Sequence, residues 1–461
     1  MNSIATSIAC LGIALSCPAQ PNWLWARITP ATSPSNRCSH AMAYDSARDR
    51  TVMFGGKERG NRAFADTWEW DGKNWAQIKP AISPPARNFH AMVYDSARKR
   101  TVLFGGYVMN TNRHFSDTWE WDGKNWAKSY PLTKPPVRFR HAMAYDSARK
   151  RTVLFGGFTT SGETADTWEW DGKNWTRSKL TASPPARFGH AMAYDPARGH
   201  TVMFGGLAQG IFADTWAWNG KSWTQIKPVA SPPARVNHAM AYDSVRGRTL
   251  MFGGSGSPSL LADTWEWDGK NWMRSKPAAS PSARSFHAMA YDSARDRTVL
   301  FGGASLAGFL ADTWEYQRAF PASFSSFGSG CKSSAGVPLL TALQPPLHAK
   351  TFTTILSPVP AGLSNTPFML VGASNTNWAA IKLPLDLGPL GAPGCKLLVS
   401  ADVLVQLKGS GGTARFDLAI PGRDPWLLGK SLYLQGLVMD SKANPLGIAL
   451  SNAGKATIGN R

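Results

Sequence analysis

Acidic residues, cysteines and long apolar runs are all in short supply. Only 30 Asp and Glu stand against 50 Lys and Arg, a formal net charge of +20 in 461 residues. Charge of that size steers acidic partners toward the protein, acidic polysaccharides among them. The basic residues form no continuous stripe with exposed aromatics, so nucleic acid is not an expected partner. The apolar run at residues 4–15 is too short to span a membrane. It reads as the core of a secretory signal, residues 1–19, closing on small residues near Ala19, although no Lys or Arg precedes it. A secreted, periplasmic or cell-surface protein follows. Of five cysteines, Cys10 and Cys17 fall in that signal and Cys38 stands alone, leaving Cys331 and Cys395. A disulfide between those two would contribute about 4 kcal/mol in the chain-entropy picture; two buried free thiols are the alternative.

What the chain has in abundance is repetition. His-Ala-Met-x-Tyr-Asp, Phe-Gly-Gly and Asp-Thr-Trp recur six times at intervals of 48 to 51 residues, with histidines at His40, His90, His141, His190, His238 and His287. A period this long specifies a propeller or a solenoid. Within each unit HAMAYD, TVLFGG, DTWEW and NWAQIK read as four short strands, the last two joined by an Asp-Gly-Lys turn. Seventeen of the 20 tryptophans occupy repeated positions, which makes them packing residues before they are sugar platforms.

The sixth unit stops at Tyr316 without a fourth strand. Trp25 stands fifteen residues before His40, as Trp75, Trp126, Trp175, Trp223 and Trp272 stand before their own histidines, so the N-terminal strand is expected to complete the last unit. Arg-x-x-His ahead of the first strand, Phe-Gly-Gly closing the second, a Trp or Tyr pair on the third and Trp opening the fourth resemble kelch repeats, from about Trp25 to Tyr316. The resemblance implies an all-β fold: a six-bladed kelch-type β-propeller over residues 22–318, closed by its N-terminal strand and similar to the central domain of galactose oxidase. The Ser-, Phe- and Gly-rich stretch 319–330 reads as a linker. Over residues 331–461, apolar runs broken by Pro, Gly and Asn predict a β-sandwich. That segment resembles C-terminal modules of large secreted bacterial proteins, through its Gly330-Cys331 opening and the Leu-Pro-Leu-Asp-Leu stretch that follows Asn375 and Trp378.

Positions that the fold demands must repeat, whereas a binding site need not. Each His lies fifteen residues before its Gly-Gly and each Asp-Thr-Trp aspartate twenty-four before the next His, so length varies only in the loop between second and third strands, from seven to ten residues. In an up-and-down sheet this loop shares a rim with the connection into the next unit, where the two residues before each His also vary. Loops on a rigid scaffold are the usual carriers of binding. One sector of the rim is cationic and polar: Lys57, Arg59, Arg62, Tyr107, Asn112, Arg113 and His114. The opposite sector is apolar, with Ile211, Phe212, Leu260, Leu261, Leu306 and Phe309, while Phe89, Arg140 and Phe286 enter from the connections. Lys57, Arg59, Arg62, Tyr107, Asn112, Arg113, His114, Phe89, Arg140, Phe212 and Phe286 are the candidate contacts for a glycan or a protein.

No catalytic set emerges. The resemblance makes copper radical oxidation the enzymatic alternative, and that chemistry needs a Cys-linked Tyr, a second Tyr and two His; Cys38, Tyr107 and His114 reach the rim without the rest. Polysaccharide hydrolysis needs paired carboxylates, and the loops hold only Glu58 and Glu163, two units apart. The six histidines lie too far apart to share one ion at ligand distances of about 2 Å and are expected to bond within or between blades. The expectation is a monomeric, non-catalytic binding protein without cofactor or metal; a carbohydrate-active enzyme using the same rim is the alternative.

Overall fold

The computed structural model describes residues 23–180, 182–319, 322–347, 350–360, 366–410, 412–420 and 427–459. The expected signal, residues 1–19, lies outside them. Regular structure among the described residues is strand apart from two 3-10 turns, and no helix is long and apolar enough to cross a membrane. One compact unit spans Trp23–Arg318, and a second gathers the chain from Ala319 onward.

The first unit contains six four-stranded antiparallel sheets. The first sheet takes Ala41–Asp45, Arg50–Phe54, Thr67–Trp70 and Trp75–Ile78 in that order, and the sheets beginning at Ala91, Ala142, Ala191 and Ala239 repeat it. The sixth uses Ala288–Asp292, Arg297–Ser305 and Gly308–Arg318, and its outer strand is Trp23–Ile28, antiparallel with Trp25 opposite Tyr316. Local chemistry fixes the turns. Asp71 Oδ1 accepts the amides of Lys73 and Asn74, both at 2.7 Å, an Asx-type turn. Gly72 sits there at φ 91°, a backbone conformation that favours glycine, and a Cβ would displace the Arg295 side chain, whose Nε would lie 2.3 Å away.

The apolar core lies between sheets. Ala41, Val52 and Phe54 of the first pack with Met92, Leu103 and Trp126 of the second, and Met53, Trp70 and Trp75 pack with Val299 and Phe301 of the sixth. Trp25 packs with Leu250 and Phe252 of the fifth. Each fourth-strand tryptophan donates its indole N–H to a third-strand threonine one sheet away: Trp126 to Thr67, Trp175 to Thr118, Trp223 to Thr167, Trp272 to Thr215, Trp75 to Thr313 and Trp25 to Thr264, all at 2.9 to 3.0 Å. A ring this large is therefore buried without orphaning its polar handle. The short Ala-Met-x-Tyr strands line up side by side, with Ala288–Asp292 next to Ala41–Asp45.

The second unit has a five-stranded sheet in the order Ser323–Phe327, Ile448–Thr457, Ser431–Met439, Pro367–Gly372 and Val403–Gln406. A four-stranded sheet runs Leu339–Ala342, Thr351–Ser357, Thr413–Ala419 and Lys408–Ser410. Phe352, Leu356 and Phe416 of the smaller sheet share a core with Met369, Leu434 and Val438 of the larger. Cys331 and Cys395 are joined by a disulfide with Cα atoms 4.9 Å apart, inside a second cluster that includes Leu398, Val399 and Leu450. The segment 319–330, read from composition as a linker, carries the strand Ser323–Phe327, whose Phe324 and Phe327 pack against the two clusters. Its Ser and Gly content hid a strand held by pairing with Ile448–Thr457.

Candidate functional site

Under the loop rim lies a framework repeated in every sheet. The Arg37 guanidinium, 1% exposed, meets both oxygens of Asp66 at 2.7 and 2.8 Å and donates to the Gly55 carbonyl at 3.0 Å; Trp68 Nε1 adds a bond to Asp66 at 2.7 Å. Arg87–Asp117, Arg138–Asp166, Arg187–Asp214, Arg235–Asp263 and Arg284–Asp312 repeat the pair. Forked pairs of this kind are the strong ones. Burial alone would raise the Asp166 carboxyl, but hydrogen bonds and charge from Arg138 outweigh it and hold the group at about 2. Phe212 belongs to this framework: its ring covers Arg187 at 4.1 Å, as Phe64 covers Arg37 at 4.1 Å and Phe115 covers Arg87 at 3.9 Å.

The residue before each histidine forms a ring of its own. The amides of Ser39, Phe286, Asn237, Gly189, Arg140 and Phe89 donate to the carbonyls of Phe286, Asn237, Gly189, Arg140, Phe89 and Ser39 respectively, at 2.7 to 2.9 Å, so the bonds run in a closed cycle. All six residues are left-handed, with φ between 56° and 66°. Gly and Asn suit that region, whereas Phe89, Arg140 and Phe286 hold it at a cost on the order of 1 kcal/mol each. The Arg140 guanidinium lies 4.4 Å from the Phe89 ring centre and 5.2 Å from that of Phe286; burial lowers its pKa, and it has no carboxylate partner among the described residues. These residues and the histidines below line a cavity of about 110 Å³.

Each variable loop is tied to this ring. Lys57 bridges to Cys38 through two backbone bonds, Tyr107 to Asn88, Phe158 to Phe139, Leu207 to Phe188, Ser255 to Val236 and Ala304 to Ser285. The second loop is the most built. Tyr107–Val108 pairs with Arg113–His114 across a 3-10 turn ending at left-handed Asn112, whose Oδ1 accepts the Tyr107 hydroxyl at 3.1 Å. Tyr107 stacks on Phe139 at 5.0 Å and meets His114 at 4.7 Å. In the first loop Lys57 Nζ donates to Asn61 at 2.7 Å, Arg62 reaches Glu58 at 3.3 Å, and Arg59 is exposed with no acidic partner among the described residues. The structure therefore gathers Tyr107, Asn112, Arg113 and His114 into one cluster and Phe89, Arg140 and Phe286 into another, with Lys57 5.7 Å from the Phe89 ring. Cys38 is buried, and burial raises its thiol pKa.

No ring nitrogen of the six histidines has a hydrogen bond of ordinary geometry among the described residues, although the backbone of the phenylalanine one sheet away, Phe301 for His40 and Phe54 for His90, is close enough to favour the imidazolium. Each ring instead packs edge-on against the second-strand phenylalanine one sheet away: His40 on Phe301, His90 on Phe54, His141 on Phe104, His190 on Phe155, His238 on Phe204 and His287 on Phe252, at 5.5 to 5.8 Å. Burial, then the neighbouring Arg37, Arg187 and Arg284 charges, push His40, His190 and His287 down to about 3. They are neutral wedges between sheets. Among the described residues no three His, Cys, Asp or Glu side chains converge as metal ligands would.

The opposite rim carries the short turns, and there the arginines are largely answered. Arg48, Arg98, Arg149, Arg198, Arg246 and Arg295 each pair with the aspartate three residues earlier, at 2.5 to 2.8 Å. Two features of the loop rim escaped the sequence reading. The Arg–Asp pairs repeat in all six units, but their members lie 27 to 30 residues apart across the variable loop. Lys128, Tyr130 and Lys134 line a cavity beside Arg113 and His114; the available signal was their departure from the repeat.

Residues 20–207 match a family model described as the Attractin/LZTR1 beta-propeller. No curated protein matches the chain. The match and the all-strand unit agree with a β-propeller fold of the kelch repeat type.

Proposed function

We propose that the chain is a secreted, non-catalytic binding protein whose propeller takes a protein partner on the variable-loop rim. In this reading the propeller has six blades, is closed by its N-terminal strand and is followed by a β-sandwich. Pairing of Trp25 with Tyr316 and the cyclic hydrogen bonds at the axis support the closure; the core shared by the two C-terminal sheets supports the sandwich. A propeller of the Attractin/LZTR1 type agrees with protein interaction by fold analogy.

The observation that carries the reading is the loop rim's departure from the repeat. The framework arginines and the turn-rim arginines that follow an aspartate by three residues have their carboxylates; Arg50, Arg100 and Arg151 beside the turns recur and bond only to backbone carbonyls, whereas Arg59 and Arg113 lie in loops that differ from unit to unit, exposed and without an ion pair among the described residues. Exposed unpaired cations on rigid, hydrogen-bonded loops favour an acidic partner surface and speed its approach. The test is the triple variant Arg59→Ala, Arg113→Ala, His114→Ala. Partners recovered from the exported fraction should bind the purified wild type at least tenfold more tightly than the variant by biolayer interferometry; equal affinity overturns the assignment. Sequencing the N-terminus of exported protein checks secretion, with cleavage after Ala19 expected.

A glycan ligand is the second reading. One observation favours it: Tyr130 is 84% exposed at the edge of the cationic sector.

A further inference from the structure

Five of the six sheets fasten the connection leaving their outer edge in the same way. Ser33, Ser83, Ser183, Ser231 and Ser280 donate their hydroxyls to the carbonyls of Ala311, Ala65, Ala165, Ala213 and Ala262, at 2.8 to 3.3 Å. Each serine lies four residues before a framework arginine and each alanine just before a framework aspartate. In the second sheet both partners are replaced, the serine by Lys134 and the alanine by Ser116, and Tyr130 stands where Lys79, Lys179, Lys227 and Lys276 stand elsewhere. A cavity of about 330 Å³ lies at this place, lined by Arg113, His114, Lys128, Tyr130 and Lys134. That volume is within the range of small-ligand sites, about 300–1,000 Å³.

From this geometry we infer that the second sheet carries a binding site for an acidic saccharide, a uronate or sulfated sugar unit; the inference rests on the glycan reading above. Three cations, Arg113, Lys128 and Lys134, converge on the cavity. Its one acidic lining residue, Asp117, is committed to Arg87 through both oxygens, at 2.7 and 3.0 Å, and to Trp119 at 2.8 Å. Net charge at the site is therefore positive. Tyr130 supplies a flat face, with Lys128 Nζ 5.6 Å from its centre. A sugar's C–H face stacks on such a ring while its carboxylate or sulfate meets the cations. An acidic peptide fits less well. A peptide adding to the sheet would run along the free edge of Trp126–Ser129, whereas the cavity crosses the end of that strand, from His114 to Lys134.

Restoring the repeat tests the site. The variant Ser116→Ala, Tyr130→Lys, Lys134→Ser rebuilds the serine latch, and because it removes one cation and adds one it leaves the net charge unchanged. Isothermal titration with a heparin-derived tetrasaccharide should show binding to the wild type and at least tenfold weaker binding to this variant, with an unchanged or higher melting temperature. Tyr130→Ala alone should weaken binding several-fold and covers the case in which the triple variant misfolds. Equal binding by wild type and a folded variant overturns the site while leaving the glycan reading standing. No binding of the tetrasaccharide to the wild type overturns both. Binding of a tetraglutamate peptide as tight as that of the tetrasaccharide would make the site a peptide site and also overturns the inference.

Discussion

The interior between the sheets and the loop rim above it come from the same six copies, yet they handle charge in opposite ways. Inside, Arg187 is fully buried and bound by both oxygens of Asp214; at the rim Arg113 is exposed over Phe115 at 5.0 Å and makes no ion pair among the described residues. Leaving a buried charge unanswered costs several kcal/mol, so the interior drifts little from copy to copy. Rim cations keep their water and cost the fold little, so they are free to differ, and difference is what a binding surface requires.

Acid should break the interior first. Between pH 6.5 and about 3, the folded imidazoles of His40, His190 and His287 bind no proton, whereas those of the unfolded chain do. Stability is therefore complete above pH 6.5 and is lost as pH falls, by up to about 1.4 kcal/mol per histidine per pH unit. His90, His141 and His238 are also held well below their ordinary value by burial and add to the loss. Below the ordinary carboxylate range Asp214, Asp263 and Asp312 act in the same direction: burial opposes their depressed pKa values but is outweighed by their arginines. Melting temperatures measured from pH 7 to pH 4 should fall steeply; a flat profile would mean that the imidazoles are hydrated rather than wedged.

Next in size is a matched pair of substitutions. Arg187→Met strands Asp214 and should cost about 3–5 kcal/mol in urea unfolding, while Arg113→Met at the rim should stay within about 0.5 kcal/mol. Comparable losses would erase the distinction between the two regions. Trp25→Ala removes the indole bonded to Thr264 and should cost about 3–5 kcal/mol, and deletion of residues 1–30 should lower the melting temperature further. The smallest effect is expected from Arg59→Ala, Arg113→Ala, His114→Ala, which should leave stability within about 1 kcal/mol while weakening binding.

The repeats were legible because the inter-sheet contacts use residues that cannot be exchanged: the Trp indole that reaches Thr, and glycines such as Gly55, at φ 66° with a carbonyl 2.6 Å from any added Cβ. The Trp25 strand was legible for the same reason, since its spacing to His40 matched the others. Partner identity across the variable loop was not, because Arg87 and Asp117 are brought together only by folding. Phe212 looked like an exposed contact because nothing local shows that Arg187 lies beneath it. The left-handed ring was hidden because Phe and Arg give no hint of positive φ, and Tyr130 because it lies in the stretch from Asp117 to His141, whose length is the same in every unit.

Hydrogen exchange of the protein with and without the heparin-derived tetrasaccharide tests most directly whether unrepeated positions form the contact surface. Protection confined to residues 107–116 and 128–134, with the short turns at 46–49 and 96–99 unchanged, is the predicted result. Protection of those turns instead, or spread evenly over both rims, would contradict the account.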